Sequence, residues 1–161
     1  LPAVGSRLLT TYAVLAQEIG ESLAFDRFYF LGSGIRYGLA CEVNLKMKEM
    51  TLTHSEPFHF LEFRHGPMSM VSPQAVIVGL VSEKIGAHER AVRNERRAMG
   101  GKSLALGESD AEIAFLSGIP EVARAVLYLP VLQLLAWHRS LAKGLNPDQP
   151  NNLTAVVTLD L

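Results

Sequence analysis

Arg27-Phe-Tyr-Phe-Leu-Gly-Ser-Gly34, with the segment from Ile35 to about Met50 that follows it, is the passage on which the fold turns. Aromatic residues favour a strand, the glycines permit a tight reversal, and Leu39, Val43, Met47 and Met50 then recur at helical spacing. Strand, glycine turn and helix open a βα unit. A second unit is expected downstream, where Ala75 to Val81 is a continuous apolar run of the kind covered on both faces, followed by a polar helix from Ala87 to Met99. Upstream, Leu8, Tyr12, Leu15, Ile19 and Leu23 predict one helix over Pro2 to Leu23. Gly100-Gly101 ends the polar helix, Lys102 to Leu106 and Glu112 to Leu116 read as further strands, and Pro120 opens a long helix to about Lys143. Gly144 and Pro147 stop it. Strands alternating with helices, joined by right-handed crossovers, give an α/β fold: a three-layer, doubly wound, flavodoxin-like parallel sheet, one domain over residues 1–161.

The composition narrows the function classes. A formal net charge of -1 and 48% hydrophobic residues argue against both disorder and a nucleic-acid-binding polyelectrolyte. One cysteine, Cys41, forms no internal disulfide, and no Cys/His spacing resembles a zinc site, so a reducing compartment and no metal are expected. The longest apolar stretch, Val126 to Trp137, is far shorter than the about 20 residues of a membrane span and reads as a buried helix. The start carries no signal-peptide pattern, and a cytoplasmic protein is the expectation. The chain opens on Leu1 rather than Met, which fits either an excised fragment or a processed product.

Glu42, Lys46 and Glu49 fall at i, i+4 and i+7, within roughly 60° of one another on the helix after the glycine turn. They border the apolar stripe, while Lys48 points away. A carboxylate at such a boundary suits a general base; the plainer reading is an ordinary i, i+4 ion pair on a solvated face. Between Thr53 and Pro67 stand His54, Glu56, His59, Glu62 and His65, dense in titratable groups for a connector, with Gly66-Pro67 fixing a turn beside His65. For any one of these histidines a structural or solvent-facing role is the commoner reading, with proton transfer the alternative. Gly32-Ser33-Gly34 offers backbone N–H groups and a hydroxyl to a phosphate. Tyr37 stands where a third Rossmann glycine would be, which disfavours a nicotinamide cofactor. Arg90, Arg93, Arg96 and Arg97, interleaved with Glu89 and Glu95, read as a solvated outer helix face.

Four segments in order carry a resemblance: Phe30-Leu-Gly-Ser-Gly34; Cys41-Glu-Val-Asn-Leu-Lys-Met-Lys-Glu49; His54-Ser-Glu56 with Glu62-Phe-Arg-His-Gly-Pro67; and Lys143-Gly144 through Asp148-Gln-Pro-Asn-Asn-Leu153. The chain resembles the second sugar-isomerase (SIS) domain of glucosamine-fructose-6-phosphate aminotransferases and of related aminosugar-phosphate isomerases and deaminases that lack the glutaminase domain. The resemblance implies that Glu49 moves a proton between C1 and C2 of an open-chain sugar phosphate, that Lys46 lies near the developing enediolate charge, and that His65 assists ring opening in a neighbouring subunit's site. Ser33, Gly34 and Glu56 are the implied substrate-binding positions. The partners implied are a phosphorylated sugar, a preceding SIS domain of the same protein and a second copy, with no cofactor, nucleic acid or membrane. Ala155 replaces the tail lysine with which the aminotransferases form an imine, and Thr154 does not substitute for it. Isomerisation, deglycation or deamination are then nearer than amination. The alternative is a non-catalytic, phosphosugar-sensing regulatory module, and a further possibility is a dimer scaffold built on the apolar helix Val122 to Leu141.

Overall fold

The computed structural model describes residues 1–83, 89 and 100–153. The expected polar helix from Ala87 to Met99, except for Glu89, and the tail positions Thr154 and Ala155 lie outside the described residues. The elements in chain order are α1 (Pro2–Thr11), α2 (Ala13–Glu21), β1 (Arg27–Gly32), α3 (Ile35–Thr51), β2 (His54–His59), α4 (Phe60–Arg64), a 3-10 turn (Pro67–Met70), β3 (Ala75–Leu80), β4 (Lys102–Gly107), β5 (Ile113–Ala114), a second 3-10 turn (Ala125–Tyr128) and α5 (Pro130–Ala142).

Among the described residues five strands pair in parallel in the order β2-β1-β3-β4-β5, the flavodoxin-like winding that the alternation of elements implies. Alternate residues of β1 serve the two faces. Phe28 and Phe30 pack with Val76, Val78, Leu104 and Leu106 under α1, α2, α3 and α5. Tyr29 and Leu31 pack with Ile77 and Ala105 against Phe60 and Phe63 of α4. β3 is buried along its whole length, as a central parallel strand must be.

Three local departures from the sequence reading have physical causes. The helix expected over Pro2 to Leu23 is two helices, with a change at Tyr12. The Tyr12 hydroxyl accepts the Ala114 N–H at 3.0 Å, which draws this residue toward β5. The segment His54–His59, read as a connector, is a strand. It lies at the sheet edge, where Pro57 is tolerated and polar side chains face water, so neither apolar alternation nor a continuous apolar run marks it. The last helix begins at Pro130, not Pro120. Pro130 lacks an N–H and crowds the preceding turn, so residues 125–128 stay 3-10 and the α-helix restarts behind them.

The β1–α3 junction depends on glycine. A Cβ on Gly32 would stand 2.3 Å from the Arg36 carbonyl oxygen, and Gly34 has φ +58 with ψ -132, a conformation that suits glycine. Gly38, by contrast, is helical, exposed and open to a methyl group. Gly32→Ala is therefore expected to destabilise the protein by roughly 1–3 kcal/mol, whereas Gly38→Ala stabilises it by about 0.5–1 kcal/mol. Urea midpoints of the two variants, moving in opposite directions, check this.

Candidate functional site

Chemistry-bearing side chains gather at both ends of the sheet, because α3 runs from one to the other. Its 17 residues span about 25 Å at 1.5 Å per residue. Gly34 caps its start at the carboxyl end of β1, while Lys46 and Glu49 lie in its last turns, at the amino end of the strands. Ser33 and Gly34 thus do not share a pocket with Lys46 and Glu49 within one chain.

At the amino end, the Lys46 ammonium stands between two carboxylates, donating to Glu49 Oε2 at 3.0 Å and lying 3.9 Å from Glu42 Oε1. The side chains of Lys46 and Glu49 keep 37% and 28% of their exposure, so the pair is neither locked in the core nor fully solvated. Val43 and Met47 beside them are buried, and Lys48 is exposed. The row sits at the margin of the apolar stripe, open to solvent. Next to Met50, an apolar groove of about 350 Å³ runs between Leu9, Pro130, Leu134 and Trp137.

Glu56 and His65 lie elsewhere. On β2, Ser55 and His59 face α3: Ser55 Oγ donates to Asn44 Oδ1 at 2.9 Å, and the His59 ring stacks on Tyr37. Glu56 therefore points to the other side of the strand, with His54 Nε2 4.0 Å from its carboxylate. His65 caps α4, which packs on the face of the sheet opposite α3, and is exposed. The structure thus brings Lys46 together with Glu49 and leaves His65, Glu56 and the Ser33-Gly34 turn apart from them.

The carboxyl end holds a network that the sequence reading missed. Arg36, 5% exposed, donates to the Leu80 carbonyl at 3.0 Å, to Glu89 at 3.1 Å and to Glu121. Glu89 also accepts the Ser82 N–H at 2.6 Å, and Ser82 Oγ donates to Glu121 at 3.1 Å. Read from sequence as part of a solvated helix face, Glu89 is instead 2% exposed. Burial raises its carboxyl above the ordinary glutamate range, against the pull of the Ser82 N–H, the Arg36 charge and a hydrogen bond from Ser33. Alongside, buried Arg124 donates to Glu83 at 2.8 Å, with its Nε 3.3 Å from Glu108. Glu83 and Glu108 line a polar hollow of about 230 Å³ with Ser82 and Ser109. This crevice lies outside the carboxyl ends of β1, β3 and β4, next to the point where the strand order reverses and open α/β sheets bind ligands. Among the described residues, four carboxylates and two guanidiniums meet there. No local pattern could reveal it, since the partners of Arg36 stand 44, 53 and 85 residues away. Among the described residues, no helix is long and apolar enough to cross a membrane.

A family model of the SIS domain matches residues 25–114, more than half of the chain. The glutamine-fructose-6-phosphate aminotransferase [isomerizing] of Sulfolobus acidocaldarius is 36% identical over 161 residues, covering 96% of this chain and 27% of that protein. Among solved structures, glucosamine-6-phosphate deaminase from Thermotoga maritima superposes with a TM-score of 0.77 at 27% identity, covering 96% of this chain and 49% of that one. The C-terminal domain of glucosamine-fructose-6-phosphate aminotransferase from Francisella tularensis gives 0.78 at 26% identity, covering 91% and 44%. The chain therefore spans about a quarter of the length of that curated relative and just under half of each solved chain.

Removing a partner from a buried ion network leaves charges unpaired. Arg36→Met is expected to cost about 3–5 kcal/mol. Loss of the exposed Arg27–Asp26 pair, by Arg27→Met, costs about 1 kcal/mol or less. Denaturant unfolding of both variants separates the two cases.

Proposed function

Since the chain belongs to the SIS domain family, we propose that it supplies part of the active site of an aminosugar-phosphate isomerase or deaminase acting on a hexose or aminohexose 6-phosphate. Its relatives include aminotransferases of the isomerizing kind and a glucosamine-6-phosphate deaminase. One observation carries the reading: the half-exposed Lys46–Glu49 pair, with an ammonium 3.0 Å from a carboxylate at the margin of the core.

In the proposed reaction, Glu49 removes the C1 proton of the open-chain ketose. The C–H electron pair forms the C1–C2 double bond as the C2 carbonyl becomes an enediolate oxygen. Proton return from Glu49 to C2, with a proton taken up at O2 and one lost from O1, gives the aldose. Lys46 offsets the enediolate charge where it develops. On a 2-aminoaldose phosphate the transfer runs in the opposite direction: Glu49 removes the C2 proton and returns it to C1, O1 takes up a proton and the amine loses one, and the resulting C2 imine is hydrolysed by water to ketose and ammonia. His65, exposed on the far face, serves a neighbouring copy by assisting ring opening. Ser33 and Gly34, bordering the carboxylate-rich crevice, and Glu56, on the edge strand, contact sugar presented by a neighbouring domain or copy.

On the same proposal the chain is the C-terminal half of a cytoplasmic, dimeric two-SIS protein; coverage of just under half of two solved relatives supports the half-length placement alone. The outer face of α5, where Trp137 and Leu141 are exposed, is the proposed contact. Neither a metal nor an organic cofactor enters the reaction.

The test is an assay of the full-length protein on fructose 6-phosphate and glucosamine 6-phosphate, following aldose, ketose and ammonia. Ammonia identifies a deaminase, and interconversion without it an isomerase. Glu49→Gln is expected to lower turnover roughly 10²- to 10⁴-fold with binding nearly intact. Tight binding without turnover by the wild type would replace this reading with a regulatory, phosphosugar-sensing one.

A further inference from the structure

Glu49 stands in the final turn of α3, where a helix is prone to fray because its last carbonyls lack intrahelical partners. Here those carbonyls are taken up by a residue from the far end of the chain. Lys143, at the end of α5, donates from Nζ to the Thr51 carbonyl at 2.6 Å and to the Leu52 carbonyl at 3.1 Å, with Thr53 Oγ1 at 3.5 Å. Leu52 adopts the left-handed conformation, φ 49, and its N–H closes on the Lys48 carbonyl at 3.0 Å. The ammonium thus sits at the negative end of α3.

One turn earlier on α5, Arg139 extends the clamp. It is 3% exposed, donates to Thr53 Oγ1 at 2.7 Å, to the Ser22 carbonyl at 3.1 Å and to the Phe25 carbonyl, and lies over the Phe28 ring. The end of α2, the start of β1 and the α3–β2 turn are all held from this one helix.

We infer that Lys143 is a positioning residue for Glu49, fixing the last turn of α3 so that the carboxylate and the Lys46 ammonium keep their direction toward the sugar. The inference rests on the reading of Glu49 as the proton-transfer base. The donors of Lys143 are engaged with backbone oxygens, so its role is exerted through α3 rather than on substrate. Burial and the nearby Arg139 charge both pull its ammonium below the ordinary lysine range, and the carbonyls hold the cation in place against them.

The experiment compares full-length wild type with Lys143→Met, Lys143→Arg, Glu49→Gln and the double variant Glu49→Gln with Lys143→Met, assayed on fructose 6-phosphate and glucosamine 6-phosphate. Lys143→Met is expected to lower kcat roughly 10- to 100-fold with KM changed less than about threefold, the effect of a small misplacement of a reacting group. Lys143→Arg restores most of it. Amide hydrogen exchange at Lys48 to Thr53 quickens in Lys143→Met while the unfolding midpoint moves little. The double variant is no slower than Glu49→Gln alone, because both losses act through one carboxylate. Lys143→Gln, which keeps a donor, replaces Lys143→Met should the latter fail to fold. Unchanged kcat in a folded Lys143→Met variant, or additive losses in the double variant, overturns the inference while leaving Glu49 its role. Full turnover in Glu49→Gln instead overturns the proposed function and the inference with it.

Discussion

The first turn of α3 passes so close beneath the end of β1 that a methyl group on Gly32 would meet the Arg36 backbone. This contact aims α3 along the sheet, with Arg36 entering the crevice at one end and Glu49 emerging at the other. A helix tilted away to make room would withdraw Arg36 from Leu80, Glu89 and Glu121, and would misalign Val43 and Met47 in the core. In a close-packed interior such adjustments are not local, since neighbouring side chains have no free volume to absorb them.

The two ends carry charge in different ways. At the carboxyl end, Arg36 and Arg124 are buried and bonded, and their desolvation is offset only while each carboxylate partner remains in place. Such a network ties Ser82 and Glu83, just after β3, to Arg36 after β1 and to Glu108 after β4 through Glu121 and Arg124. Lys46 and Glu49, at the amino end, remain partly hydrated and make a single short contact with each other. The end of the helix that carries them is held from behind by Lys143 and Arg139.

Where the sequence was legible, burial on both sides of an element had left a periodic trace. The run Ala75 to Leu80 and the aromatic strand Arg27 to Gly32 are recognisable because parallel strands in the middle of a sheet have no water-facing side. β2 left no such trace: every side chain but that of Ser55 keeps some exposure. The start of α5 was misplaced from Pro130 to Pro120 because proline suits the first turn of either segment, and the choice lies with the packing of Leu127 and Tyr128.

The candidate site divides along the same line. Glu42, Lys46 and Glu49 share a helix, so their proximity follows from 3.6 residues per turn and was readable from spacing. Sequence by itself also determined the α/β class and the parallel sheet, since hydrophobic period and glycine placement are local properties of the chain. Only the tertiary structure decided that Glu89 is buried, that Arg36 reaches Glu121, that Lys143 closes the end of α3, and that His65 and Glu56 lie on the far side from Glu49. Those contacts join residues dozens of positions apart, and their energies depend on desolvation and geometry that exist only once the sheet has assembled.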